Sequence, residues 1–191
     1  LKRPLLVLAV LLGVIGAPGG GPVEVRLQPM GRGRPQEGIA RGVIPAPPER
    51  VFRAVADVEH WHEFMPFLRA SDARLDKDGS VLSTQRLDLP FLGERHYRIR
   101  FRGRVERGDR LGRETLWRAE WSYVPGSGNL TGLRGSWTLT AAPGGGTLAI
   151  CRLWMDAGML PSLMDRATEK SLPWIFDGLR QHVRRSRYDT P

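Results

Sequence analysis

The stretch from Pro161 to Arg187 restricts the fold most. Leu160, Leu163, Met164, Ala167, Leu172, Ile175, Phe176, Leu179 and Val183 recur there mostly three and four residues apart. That spacing gathers them on one stripe of a long helix. Pro161 suits the first turn, where its missing N–H leaves no bond unmade. Asp165 stands near the start, and Arg180, His182, Arg184 and Arg185 crowd the end, each sign where the helix dipole favours it. Pro173 predicts a kink near Lys170 to Leu172. Such a helix carries too much apolar surface to stand alone and needs other elements to cover it.

The residues before it supply strands. From Arg95 to Val105, the positions Arg95, Tyr97, Ile99, Phe101, Gly103 and Val105 alternate with His96, Arg98, Arg100, Arg102 and Arg104. One face is largely apolar and the other wholly basic. Arg107 to Gly112 predicts a hairpin turn. The next strand puts Thr115, Trp117, Ala119, Trp121 and Tyr123 on one face, with Glu114 and Glu120 opposite the arginines. Leu133, Gly135, Trp137 and Leu139 alternate with polar residues in the strand after it. The last strand, Thr147 to Asp156, is apolar on both faces: Cys151, Leu153 and Met155 on one, Leu148, Ile150 and Trp154 on the other. A second apolar face predicts a dimer contact or a membrane-facing patch.

Further upstream, Gly38 to Ile44 predicts a short strand, Ala46 to Ala56 a helix opened by Pro47 and Pro48, and Val58 to Met65 a second short helix stopped by Pro66. Residues 22–37, rich in Gly, Pro and Arg without periodicity, are expected to form a linker. Residues 1–21 place Lys2 and Arg3 before an apolar run from Leu5 to Ile15 and then small residues. This is the pattern of a signal peptide, or of an N-terminal anchor if uncleaved. It implies an exported protein, periplasmic or extracellular. The expected fold class is therefore α+β: a curved antiparallel sheet wrapped around a long C-terminal helix, with two short helices after the first strand, in one domain over residues 38–188.

Composition narrows the function. One cysteine in 191 residues excludes an internal disulfide and a multi-cysteine zinc site. A net charge of +9 favours an anionic partner, for which a membrane surface is the candidate. Nucleic acid is disfavoured, because the arginine ladder carries no interleaved aromatics. His60 and His62 stand two residues apart, a spacing that splits them between helix faces and argues against a shared metal. No cofactor is implied, and the oligomeric state is open.

Three stretches resemble one superfamily. IPAPPERVFRAVADVEHWHEFMP is similar to the opening of START-like proteins, the group of polyketide cyclases and coenzyme Q-binding proteins also called SRPBCC. LPFLGERHYRIRF and SGNLTGLRGSWTLTAAPGGGTLAICRLWMDAGMLP resemble its central strand and its last hairpin, in the same order. Two departures are visible: His96 stands where members often have Asp, and Ala157–Gly158–Met159 replaces Pro-Gly-Gly. The resemblance implies a helix-grip fold with a deep apolar cavity for a lipid, sterol, isoprenoid quinone or polyketide. It implies entry beside the first half of the long helix and the loops Leu89 to Glu94 and Pro125 to Leu130.

The candidate ligand-binding residues follow from strand parity and from that resemblance. On the strands they are Gln85, Arg95, Tyr97, Ile99 and Phe101, then Trp117, Trp121, Tyr123 and Trp137, then Leu153 and Met155. On the helix they are Leu160, Leu163, Met164 and Ala167. The tryptophans suit a ligand wall and an ordinary core alike. Arg95 is either the polar anchor of the cavity or a side chain that swings to solvent. The inward polar set, Ser83, Gln85, Arg95, Tyr97, Thr115, Tyr123 and Cys151, contains no Asp, Glu or His. Acid–base chemistry wants a group that titrates near neutral pH. The expectation is thus non-enzymatic binding or transport of a hydrophobic small molecule. The alternative is a cyclase, aromatase or hydrolase using the same cavity.

Overall fold

The computed structural model describes residues 20–90, 93–108 and 114–189. The expected signal segment therefore lies almost wholly outside the described residues, as do most of the Arg107–Gly112 turn and the middle of the Leu89–Glu94 loop. Eight strands form one antiparallel, curved and unclosed sheet in the order β1-β2-β8-β7-β6-β5-β4-β3. They are β1 Glu24–Gln28, β2 Glu37–Ile44, β3 Leu68–Leu75, β4 Val81–Leu89, β5 Gly93–Glu106, β6 Leu116–Tyr123, β7 Gly132–Ala141 and β8 Thr147–Asp156. Helix α1, Pro48–Ala56, and a 3₁₀ segment, Val58–Glu63, separate β2 from β3, and α2 spans Pro161–His182. The second short helix is thus a tighter 3₁₀ turn, ended just before Pro66.

Two boundaries differ from the sequence expectation. The supposed linker contributes β1, which pairs with β2 from Glu24 opposite Arg41 to Gln28 opposite Glu37. The alternation in β1, Val25 and Leu27 between Glu24, Arg26 and Gln28, covers only five residues, and only one face is half-buried at the sheet's edge, so it does not stand out from its Gly- and Pro-rich surroundings. The long helix ends at His182 rather than Arg187, and the helical assignment runs continuously through Pro173. After it the chain turns back into a short 3₁₀ turn, Ser186–Tyr188.

Close approach decides where α2 lies. Gly38, Ala40 and Gly42 share the inward face of β2, opposite Leu153, Cys151 and Ala149 of β8. A Cβ on Gly38 would stand 2.5 Å from Thr168 Cγ2 and 2.6 Å from Leu172 Cδ1, and one on Gly42 3.0 Å from the Phe176 ring. Thr168, Leu172 and Phe176 are four residues apart, so one ridge of α2 lies along a strip of minimal side chains. Its other flank meets the 3₁₀ segment, where a Cβ on Gly178 would stand 2.4 Å from the Phe64 carbonyl oxygen.

Polar contacts pin the same helix at both ends. Asp165 accepts from the Gln36 amide at 2.6 Å and from Gln36 Nε2 at 2.9 Å. The buried Arg180 guanidinium donates to the carbonyls of Val43 and Gly21 and pairs with Asp177. Buried His182 lies against Phe64, and its Nε2 is 2.7 Å from the Tyr188 hydroxyl, which also reaches Asp57 Oδ2 at 2.8 Å. Burial, then the nearby Arg187 charge, pushes the His182 pKa down to about 4. His182 therefore anchors the returning chain end, a role that the dipole argument did not reveal.

The arginine ladder faces the outside of the sheet, and much of its charge is matched. Arg100 pairs with Asp76 and Asp78, Arg102 with Asp78, and Arg104 with Glu106 and Glu120. Hydrogen bonds from the Ser80 hydroxyl and amide hold the Asp78 carboxyl down at about 2, with Arg102 and Arg100 assisting. Glu120 was legible as a partner of the ladder; Asp76 and Asp78 come from the β3–β4 turn, which strand parity does not reach. The second apolar face of β8 is partly covered by the chain itself. Trp154 Nε1 donates to the Pro35 carbonyl at 3.0 Å, and the Arg134 guanidinium sits 5.5 Å from its ring centre.

Two predictions follow from this packing. Gly38→Val should cost about 1–3 kcal/mol in urea unfolding, because α2 must lift from β2. Gly21→Ala, where a Cβ meets nothing within 4 Å, should change stability by less than about 0.5 kcal/mol. The second concerns pH. His182 folds neutral, with its folded pKa near 4 against an unfolded value of 6.5, so the unfolded chain takes up a proton first. Stability should fall as pH drops from about 6.5 toward about 4, and His182→Phe should make that fall shallower in unfolding series across this range.

Candidate functional site

A cavity lies between the first two-thirds of α2 and the concave face of the sheet. About 80 Å³ of it is open to the centre of a water-sized sphere. That admits several waters but is well below the roughly 300–1,000 Å³ usual for an occupied ligand pocket. Its walls come from β4 to β8, from Trp61 and the Met65–Leu68 connection, and from Met164, Ala167, Thr168, Ser171 and Ile175 of α2.

The strand and helix periods explain this lining. On β4, the inward positions Gln85, Leu87 and Leu89 all reach the cavity, and on β8 so do Cys151, Leu153 and Met155. Each set is spaced by two, as a pleated face requires. On α2, Met164, Ala167, Thr168, Ser171 and Ile175 follow at three and four. Of the residues proposed from sequence, Gln85, Tyr97, Trp121, Leu153, Met155, Met164 and Ala167 are thus brought together around one space.

The others lie elsewhere. Ile99, Phe101, Trp117 and Trp137 are buried in the core beyond the cavity, where Trp137 packs 5.1 Å from Phe176 and Phe101 lies edge-on to Trp61. They face inward as parity demands, but α1, the 3₁₀ segment and the second half of α2 fill that end of the sheet. Tyr123 braces a loop, its hydroxyl donating to the Gly128 carbonyl at 3.3 Å. Leu160 and Leu163 are exposed at 68% and 47%, because the helix begins beyond the sheet's edge. Arg95 is half-buried outside the lining, and its Nη1 donates to the Glu94 carbonyl at 3.3 Å. The loop 125–130 does not line the cavity either.

Sequence reading missed the 65–68 connection. Phe67 has φ of +66°, an uncommon and costly conformation for a bulky residue. Its ring lines the cavity and lies 6.1 Å from the ring of Trp174, which is 53% exposed. The helix stop at Pro66 was the only visible signal, and it says nothing of where the next ring points.

Chemically the lining is mostly apolar, with Gln85 and Tyr97 on the sheet and Thr168 and Ser171 on α2 as polar members. Among the described residues it holds no charged side chain. Gln85 stands directly between Ser71 and Tyr97 in the strand register. Its Nε2 donates to Ser71 Oγ at 3.3 Å, and Ser71 in turn donates to the Val58 carbonyl at 2.6 Å. Burial raises the pKa of both the Tyr97 phenol and the Cys151 thiol, so both stay protonated. His60 and His62 sit apart from the cavity and are held locally by Asp57 and the Glu59 carbonyl. His96 pairs with Glu94 on the outer side. No group of three potential metal ligands occurs among the described residues, and no helix there is long and apolar enough to cross a membrane.

A family profile described as polyketide cyclase / dehydrase and lipid transport matches residues 40–184. No match is found among curated proteins. Among solved structures, the fold is similar to a STAR-related lipid transfer protein from Xanthomonas axonopodis, at 17% identity and a TM-score of 0.71 over 89% of this chain and 96% of that one. Human STARD10 is similar at 10% identity and a TM-score of 0.67, over 86% and 70%. The Zhui aromatase/cyclase from Streptomyces sp. R1128 is similar at 11% identity and a TM-score of 0.52, over 79% and 96%. At these identities the likeness is one of fold.

Proposed function

We infer that this chain, which belongs to the polyketide cyclase / dehydrase and lipid transport family, holds a hydrophobic small molecule under α2 and does no chemistry on it. The observation that carries the reading is the lining: mostly apolar, uncharged among the described residues, and without a group that titrates near neutral pH. General acid–base catalysis needs such a group, and burial moves Tyr97 and Cys151 away from that range. The aromatase/cyclase among the fold relatives keeps a catalytic reading in view, but that reading needs an acid or base that this lining does not supply.

Carriage also fits the mouth. Leu163, Ala167 and Trp174 lie four and seven residues apart along the exposed side of α2, with Phe67 opposite Trp174. A lipid-sized ligand is larger than the space present, so Phe67, the flexible Met65 and Met155, or the start of α2 must give way to admit it. We further propose that residues 1–21 direct export, on their basic start and apolar run.

Sterols, quinones, fatty acids and polyketide-like aromatics should be screened by melting temperature. At least one class should raise it with a concentration dependence that follows mass action. Leu153→Trp, which fills the space, should abolish that rise while the unliganded protein stays folded. A panel with no response would refute carriage. Fractionation of expressing cells should find the protein outside the cytosol; full-length protein confined to the cytosol would refute export.

A further inference from the structure

We propose that the ligand of this cavity has a neutral, oxygen-bearing head, a hydroxyl or a carbonyl, held by the Tyr97 hydroxyl and the Gln85 carboxamide. The inference rests on the reading of the cavity as a ligand site and specifies the chemistry it selects.

Three observations carry it. First, Tyr97 and Gln85 are each 3% exposed and stand directly opposite one another on β5 and β4, both in the cavity wall. Second, their hydrogen-bonding capacity is partly unused. The Tyr97 hydroxyl makes no hydrogen bond to a described residue, and its acidity is altered by burial alone. Gln85 uses Nε2 on Ser71, and its carbonyl oxygen has no protein partner. Neither atom is among the described side-chain atoms sealed off without a partner, so both open onto the cavity, where a ligand oxygen can take the place of water and complete their bonding. Third, the wall holds no cation.

The kinds of head follow from what each group offers. A ligand hydroxyl can donate to the Gln85 carbonyl and accept from Tyr97, and a ligand carbonyl can accept from Tyr97. A carboxylate or phosphate would be buried without a counter-charge, which is strongly unfavourable. Ser71 cannot take the ligand's place, because it already donates to Val58 and meets Ser83 at 3.1 Å. Arg95, the sequence-based anchor, lies outside the wall.

The test uses the full chain and four probes of one hydrocarbon length: 1-dodecanol, 2-dodecanone, dodecanoate and dodecane. Each is titrated against the neutral fluorophore N-phenyl-1-naphthylamine bound in the cavity. Dodecanol and dodecanone should displace it at concentrations about tenfold or more below those needed for dodecanoate. Tyr97→Phe should weaken the alcohol and the ketone by about three- to tenfold and leave dodecane unchanged. It should keep or raise the melting temperature, since the hydroxyl it removes has no protein partner. Gln85→Met should weaken the alcohol more than the ketone. Dodecanoate binding as tightly as dodecanol would overturn the proposal, and Arg95→Met would then show whether that residue holds the acid. A Tyr97→Phe protein with an unchanged ratio of dodecanol to dodecane affinity would overturn it as well. If neither the fluorophore nor any probe binds, the ligand-site reading itself fails and this inference falls with it.

Discussion

The close contact between α2 and β2 is the constraint on which the remaining structure depends. A helix can approach a strand this nearly only where side chains are minimal, and Gly38, Ala40 and Gly42 provide that strip. Thr168, Leu172 and Phe176 then seat along it, and Asp165 and Arg180 tie the same helix to the chain on either side of β2. Fixing α2 against one part of the sheet leaves its opposite flank to span a curved surface that it cannot fill. At the C-terminal end, the 3₁₀ segment and α1 fill the gap. Toward the N-terminal end nothing does, and the cavity remains.

Location within the sheet therefore sorts the inward residues into two kinds. Ile99, Phe101, Trp117 and Trp137 share strand faces with the cavity residues, yet they support the core because α1 and Trp61 close over them. Gln85, Leu87, Tyr97, Leu153 and Met155 lie under the first part of α2 and face space. The separation of charge is equally sharp. Arginines and carboxylates pair across the outer face, where solvent screens each pair and the net contribution is small. Among the described residues the cavity wall carries only neutral groups, so any selectivity there comes from shape and hydrogen bonding rather than from ionic attraction.

The proposed mouth beside Phe67 combines two features often found where a protein must move. Phe67 is held in a left-handed backbone conformation, and methionines border it. Strain at one residue is tolerated only where neighbours over-determine it, here the Pro66 turn and the ring of Trp174. Methionine side chains repack at little cost, which suits walls that accept apolar ligands of different shapes.

The sequence by itself determined the fold class, the order of element types from β2 onward and the facing of the residues on β5 to β8. A pleat has a period of two and a helix a period near 3.6, and those periods are written in local residue types. It also determined that the inward face carries no titrating acid or base on its strands, and its motifs were enough to place it among START-like proteins. Edge strand β1 was not legible, because its alternation of Val25 and Leu27 with polar residues spans only five positions and is lost among the Gly, Pro and Arg around it. The end of α2 at His182 and the buried cluster of His182, Tyr188 and Asp57 were not legible either, since Asp57 stands more than a hundred positions from the other two. Only the tertiary structure decided which inward residues line a cavity, that Arg95 stays outside it, and that Tyr97 and Gln85 stand side by side in its wall. Parity tells on which side of a sheet a side chain lies; whether another element covers it depends on where that element is anchored, and here two glycines on β2 settle that.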